Sequence, residues 1–350
     1  MNWKFWQSKY PSETQSVPVG TGGSMIRKTV SGVLALVLTG YVGVGWWWDA
    51  EPAEFDVVEK ANQYANKNGH RPVTGYVMTH TMLALGDALL EKRGGYLSND
   101  KFPPGVVMDN MPAWEFGVLT QLRDTSRSFR IDLSRSQSQS IEDKDLAEAE
   151  PKLSFDNSSW AFPPSESEYR DGIRHFSRYL DRLADPAQPK AQFYARADNL
   201  AHWLESVETR LGSLSQRLSA SVGKRQLNID LAGDAAATQS TSAPVDEEYK
   251  TPWLELDAVF YEARGYTWAL LHLLRAAEND FGDVLDNKNA RVSLQQVIRE
   301  LEPSQQTVSS PMILNGDGMG LLANHSLVMA SFVSRANGGI TDLRVLLASG

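Results

Sequence analysis

No charged residue lies between Thr29 and Trp48, and this run of twenty residues (TVSGVLALVLTGYVGVGWWW) constrains the chain more than any other feature. An α-helix rises about 1.5 Å per residue, so twenty residues reach across a hydrocarbon core of roughly 30 Å. Basic residues precede the run and acidic residues follow it, beginning with Asp49 and Glu51. The pattern predicts a transmembrane helix at residues 29–48 and a single-pass membrane protein.

The charges beside this helix predict its orientation. Residues 1–28 carry four basic side chains and one acidic side chain, so the positive-inside rule keeps this tail in the cytoplasm and sends the rest across the membrane. Trp46, Trp47 and Trp48 stand where an aromatic belt would anchor the far interface. The competing interpretation is a cleaved signal peptide, which has a shorter apolar core and small residues at the cut. Because tryptophans occupy that zone here, an uncleaved signal-anchor is favoured.

One face of the predicted membrane helix carries small side chains that recur at every fourth position, with two glycines beside them. These residues are Ser31, Gly32, Ala35, Thr39, Gly40 and Gly43. Small residues at this spacing let two helix backbones approach closely in lipid. The face is therefore a candidate packing surface for a second copy of the chain or for another membrane protein. The alternative is that such residues are simply common in membrane helices.

Composition excludes several functional classes. Outside the N-terminal tail the chain holds 30 basic and 42 acidic residues, and this acidic balance argues against nucleic acid as a partner. The sequence has no cysteine, which excludes disulfides, thiol catalysis and cysteine-based metal sites. About 300 residues outside the membrane suffice for one large or two medium domains with a real core.

Heptad spacing of apolar residues dominates residues 166–227. The first series is Tyr169, Ile173, Phe176, Leu180 and Leu183, and the second is Phe193, Ala197, Leu200, Leu204, Val207, Leu211, Leu214 and Leu218. A break with two prolines at Asp185–Pro189 separates them, so the pattern predicts an antiparallel helical hairpin. A third heptad series runs from Leu256 to Val284.

The remaining regions complete an all-α prediction. Residues 49–165 are predicted as a helical and irregular region with helices near 55–67, 76–90 and 112–130. The small, polar residues 228–248 are predicted as a flexible linker. Residues 249–350 are predicted as a C-terminal helical region packing on the preceding helices. Its shorter helices are expected at about 293–301, 320–334 and 340–347. Whether the heptad seams pair within one chain or between chains stays open at this stage.

The sequence carries no standard catalytic motif. It lacks GxSxG, HExxH and GxxxxGK[ST], and no two of its six histidines are four residues apart. No metal or cofactor is therefore expected, and an enzymatic role is not favoured. The remaining candidate is a ligand cleft formed by Asp109, Trp114 and Glu115, since a carboxylic acid beside an indole can act as a general acid. The favoured alternative is that Glu115 offsets the positive N-terminus of its helix.

Several segments together resemble a known protein family. They are the tryptophan-ended membrane helix, the patch GGYLSND…PPG…MDNMPAWEFG and the SRSQSQS–ED run. The combination resembles the proteobacterial family called domain of unknown function 2333, over nearly the whole chain. The resemblance implies a Gram-negative inner-membrane protein with a periplasmic domain. It implies no activity and no catalytic residues.

Three functional hypotheses follow from the sequence. The first is an envelope scaffold or interaction protein, whose partners are the lipid bilayer and a membrane protein, a periplasmic protein or a second copy. The alternative is a cell-wall protein that binds or hydrolyses glycan or peptide, which requires Asp109, Glu115 and Arg123 to converge on an open pocket. The third, a sensor coupling two compartments, is disfavoured because the short tail has no room for an output domain.

Overall fold

The computed structural model describes residues 22–135, 141–187, 191–227, 246–308, 310, 312–316 and 321–349. The chain divides into two compact units, one ending at Val44 and the other beginning at Gly45. Helix α1 (Gly22–Trp48) supplies the described part of the first unit and the first four residues of the second. The second unit holds every other described element.

The second unit is built from helices. These are α2 (Val57–Asn68), α3 (Tyr76–Glu91), α4 (Asn110–Ser128), α5 (Lys144–Leu153), α6 (Ser165–Ala184), α7 (Ala197–Ser219), α8 (Leu256–Asp280), α9 (Gly282–Asn287), α10 (Arg291–Leu301) and α11 (His325–Ala348). Strands β1 (Lys224–Leu227) and β2 (Asp246–Tyr249) form one short antiparallel ribbon, in which Lys224 pairs with Tyr249. The all-α prediction is confirmed. Most of the predicted tail (1–28) and linker (228–248) lies outside the described residues.

Helix α8 lies at the centre of the bundle. Every residue from Ala263 to Leu274 is buried, and a helix that is buried on all sides must be surrounded by other elements. Its main partners are α4 and α3, with α10, α11 and α7 completing the enclosure. Three fully buried tryptophans, Trp114, Trp203 and Trp268, mark the core.

Two glycines bring α4 and α8 into backbone contact. A Cβ atom on Gly265 would lie 2.0 Å from the carbonyl oxygen of Trp114, and one on Gly117 would lie 2.1 Å from the carbonyl oxygen of Glu262. Real Cβ atoms essentially never approach other atoms below 3.0 Å. The close crossing therefore requires glycine at both positions, and it lets the indoles of Trp114 and Trp268 meet with ring centroids 5.2 Å apart.

The pairing of the heptad helices differs from the predicted hairpin. Helix α6 packs against α5 and α3, whereas α7 packs against α11. The second heptad series also begins later than predicted, because the segment before Ala197 is not helical. Phe193 in that segment packs between the rings of Phe129 and Phe281, at centroid distances of 5.7 and 5.5 Å. The apolar seam of α7 is thus covered within the chain by α11.

Helix α11 runs without interruption where two shorter helices were predicted. The prediction left residues 335–339 between the two helices, and this gap holds Gly338 and Gly339, which are poor helix formers. The structure keeps the helix intact, since this stretch is held between α7 and α10. A Cβ on Gly339 would lie 2.8 Å from the Val297 side chain of α10, so the small residue serves close packing.

Candidate functional site

The apolar helix predicted from sequence is present. Residues 27–48 form a helix that is long and apolar enough to cross a membrane by length and composition, and none of it is buried. A membrane anchor and a signal sequence both satisfy those criteria. The six small residues that form its candidate packing face are all exposed. They are Ser31, Gly32, Ala35, Thr39, Gly40 and Gly43. A Cβ on any of the three glycines would meet no atom within 4 Å, and the Thr39 hydroxyl donates to the Ala35 carbonyl.

The three tryptophans that end this helix have different surroundings. Trp46 and Trp47 are 81% and 52% exposed, and the guanidinium of Arg93 lies 5.9 Å from the Trp47 ring. Trp48 packs instead on the turn at Gly94, where a Cβ would lie 2.7 Å from the indole. Gly94 also has a φ of +82°, a conformation that favours glycine. An interfacial role remains a prediction for Trp46 and Trp47, while Trp48 belongs to the fold.

The chain just after the helix is fixed to the core by a buried arginine. Arg264 of α8 donates from Nε to both carboxylate oxygens of Glu51, at 2.7 and 2.8 Å. Its two Nη atoms donate to the carbonyls of Ser304, Gln305 and Gln306. These carbonyls lie at the end of the short 3₁₀ helix Glu302–Gln305 that follows α10, so they have no partner within a helix. The Arg264 side chain therefore supplies hydrogen-bond donors to these free carbonyls and also holds the segment that follows α1.

A second attachment follows four residues later, at Phe55. The backbone N–H of Phe55 donates to Nε2 of His272 at 3.1 Å, and the two rings stack with centroids 4.1 Å apart. His272 Nδ1 lies 2.7 Å from the Trp268 carbonyl, so Nδ1 carries the proton. Burial lowers the pKa of His272 to about 4, which keeps the ring neutral and Nε2 available as an acceptor. Glu54 adds an ion pair with Arg275 at 2.7 Å.

The predicted ligand cleft is absent, because Trp114 and Glu115 are fully buried. The Glu115 carboxylate pairs with the Lys92 ammonium at 2.5 Å, and both side chains are inaccessible. It also accepts hydrogen bonds from the backbone N–H groups of Leu97 and Ser98 and from the Ser98 hydroxyl. Burial raises the pKa of Glu115, against the opposing effects of Lys92 and these donors. The acid therefore holds the Lys92–Ser98 turn onto α4 and faces no solvent.

The other residues expected at that cleft are dispersed. Asp109 is exposed and accepts from the N–H of Asn110 at the start of α4. Arg123 donates to the carbonyl of Leu153, the last residue of α5, and to that of Phe155 just beyond it. The geometry therefore lacks the convergence that a general acid and a substrate-binding arginine would need. Asp109 instead joins burial and Glu51 in raising the pKa of Asp49 to about 6.

A family comparison accounts for nearly the whole chain. The model of a family described as uncharacterized protein conserved in bacteria (DUF2333) matches residues 22–350. The chain belongs to the DUF2333 family. No curated protein and no solved structure matches it. The family resemblance expected from the sequence motifs is thus confirmed. The family is described as conserved in bacteria.

One cleft in the described part of this DUF2333 chain was not predicted from sequence. It has a volume of 820 Å³ and lies where the start of α3 meets the end of α8, with Phe193 among its lining residues. Its buried acid, Asp280, accepts from the N–H of Met78 at 2.7 Å and so caps α3. Burial raises the pKa of Asp280 to about 6, although its hydrogen bonds to α3 act in the opposite direction. The sequence signal beside this cleft is Gly75, the residue before α3, which adopts a φ of +87°.

No candidate metal site is present in the described part of this family member. Among the residues that the structure describes, no three His, Asp or Glu side chains are grouped closely enough to hold a metal ion. The buried acids Glu115 and Asp280 are both engaged by backbone donors. The best-defined arrangement of the chain is therefore the attachment of residues 48–55 to the helical core.

Proposed function

We propose that this protein is a single-pass envelope scaffold. In this proposal α1 is an uncleaved anchor in the bacterial inner membrane, the N-terminal tail is cytoplasmic, and the helical domain lies in the periplasm. The basic tail and the acidic remainder of the chain support this orientation. The domain acts by holding a binding partner at the membrane surface.

The observation that carries the proposal is the fixation of residues 48–55. Trp48 packs on Gly94, Glu51 binds Arg264 and Phe55 stacks on His272. A scaffold at the membrane surface needs such contacts, because they tie its domain to the chain that leaves its anchor.

The partner surface that we propose is the small-residue face of α1. The heptad seam of α7 is covered by α11, and its leucines are buried, so this seam is not available to another chain. The face from Ser31 to Gly43 is exposed and suits close helix packing in lipid. The partner is a second copy of this protein or another membrane protein.

The test is chemical crosslinking of the full-length protein in native membranes, followed by purification. The variant Gly40→Leu/Gly43→Leu fills the small-residue face. The control is Val37→Leu/Val44→Leu, which enlarges by one methylene each two side chains of the same helix that are not among the six small residues. We expect a stoichiometric partner or homodimer that the glycine variant loses and the valine control keeps.

Two results would contradict the proposal. One is a monomer from which no protein co-purifies before any substitution is made. The other is equal loss of the partner in both double variants, because general damage to the helix would then explain the effect. Recovery of α1 as a separate cleaved fragment would contradict the anchor itself.

A further inference from the structure

One loop exposes apolar side chains beside the end of the apolar helix. We call residues 101–107 (KFPPGVV) the apolar loop. Phe102, Val106 and Val107 are 77%, 50% and 66% exposed, and no charged residue lies between Lys101 and Asp109. Exposed apolar side chains grouped in this way mark a contact with another apolar phase or protein.

The loop is level with the last turn of α1. A Cβ on Gly45 would lie 3.7 Å from the Pro104 side chain, and both residues belong to the second compact unit. Gly45 stands three residues before the helix end, which is about 4.5 Å along the axis. The headgroup layer of one leaflet is roughly 6 Å thick. If Trp46 and Trp47 occupy that layer, the apolar loop occupies it too.

Four of the seven positions of the apolar loop have no unsatisfied backbone N–H group. Pro103 and Pro104 have no N–H group, and the N–H groups of Val106 and Val107 donate to the carbonyls of Phe102 and Pro104 at 3.2 and 3.1 Å. Unsatisfied backbone groups are costly where water is scarce, and these four positions leave no such donor. Gly105 allows the tight turn, since a Cβ there would lie 2.0 Å from the Asp100 carboxylate.

We propose that the apolar loop is a second membrane-contact element, which inserts Phe102, Val106 and Val107 into the lipid interface beside Trp46 and Trp47. The bilayer is the occupant because the loop is continuous with the turn that ends the span. The inference rests on the proposed membrane anchor. Two contacts that are far apart in sequence limit the rotation of the domain about the single helix, which one anchor alone does not.

The test uses the natural absence of cysteine. Single-cysteine variants of the full-length protein receive a nitroxide label and are reconstituted into vesicles of phosphatidylethanolamine and phosphatidylglycerol. Val107→Cys reports on the loop, and Val106→Cys repeats the measurement should the first variant fold poorly. Leu36→Cys, in the apolar helix, is the lipid reference. Val292→Cys on α10, where the valine is 75% exposed, is the water reference.

Power-saturation spectroscopy then compares accessibility to oxygen, which concentrates in lipid, with accessibility to a water-soluble nickel chelate. We expect the oxygen-to-nickel ratio at Val107 to be several-fold higher than at Val292 and to approach that at Leu36. A Val107 ratio equal to that at Val292, while Leu36 reports lipid, would overturn the inference and leave the anchor standing. Protection of Val107 from both reagents would assign the loop to a second copy and would also overturn it. A water-like ratio at Leu36 would refute the anchor on which the inference rests.

Discussion

Alanine at Gly117 or Gly265 should force α4 and α8 apart. The new Cβ would lie 2.1 or 2.0 Å from a backbone carbonyl oxygen of the facing helix. Since such contacts do not occur below 3.0 Å, the helices must separate locally by about 1 Å, a gap that already forfeits a quarter to a half of each dispersion contact across it. A rotamer change cannot relieve the clash, because the atom that is hit belongs to the backbone.

The expected loss of stability follows from two opposing terms. Overpacking a core typically costs about 1–3 kcal/mol, and the upper end applies here because the indoles of Trp114 and Trp268 pack at the same crossing. Replacing glycine by alanine within a helix stabilises the helix by about 1 kcal/mol. Each substitution should therefore lower the free energy of unfolding by about 2 kcal/mol.

The measurement is urea denaturation of the purified full-length protein in detergent, followed by far-UV circular dichroism. Gly338→Ala is the matched control, because Gly338 is helical and exposed and a Cβ there would meet no atom within 4 Å. This control should gain up to about 1 kcal/mol. Equal behaviour of Gly117→Ala, Gly265→Ala and Gly338→Ala would refute the backbone contact between α4 and α8.

Two further predictions concern buried charges. Glu115→Ala leaves the Lys92 ammonium unpaired in the core and should lower the free energy of unfolding by about 3–5 kcal/mol. The double variant Lys92→Met/Glu115→Gln should lose much less stability in the same urea assay. If the double variant instead lost as much as the two single changes added together, the result would argue against a buried pair. The pKa of Asp280 is raised in the fold from 3.8 to about 6, so its stabilising contribution is complete below pH 3.8 and lost as pH rises through about 6. The difference in unfolding free energy between Asp280→Asn and the natural protein should therefore shift in favour of the variant by about 2 kcal/mol between pH 4 and 7. Parallel pH profiles would contradict this.

Periodicity was sufficient to predict the long helices and insufficient to predict their partners. The apolar pattern of α8 reports burial on several faces, but it does not say which helices supply the cover. Helix α5 was missed because its segment is polar and contains Pro151. Its signals are Asp143, whose side chain caps the helix, and the apolar spacing of Leu146, Ala149 and Leu153. Tertiary packing against α6 then stabilises a helix that local propensity disfavours.

The same limit applies to the candidate site. An acid and an indole in the first turn of a helix are equally compatible with a cleft and with a core, and the deciding residue, Lys92, lies more than twenty positions before Glu115. No local sequence pattern indicates the pairing of Lys92 with Glu115. The attachment of Glu51 to Arg264 spans over two hundred residues, so it was equally inaccessible to sequence reasoning. The apolar helix was predictable, because its signal is contained within a single continuous segment.

The long sequence separation between α7 and α11 has a consequence for synthesis. About 105 residues separate the end of α7 from the start of the helix that covers it. At a synthesis rate of about 5–20 residues per second, the row of leucines on α7 stays uncovered for roughly 5–20 s before α11 has been made. The contact between α7 and α11 therefore forms only after α11 has been synthesised, and a chain terminated before His325 leaves that row open to chaperones and proteases.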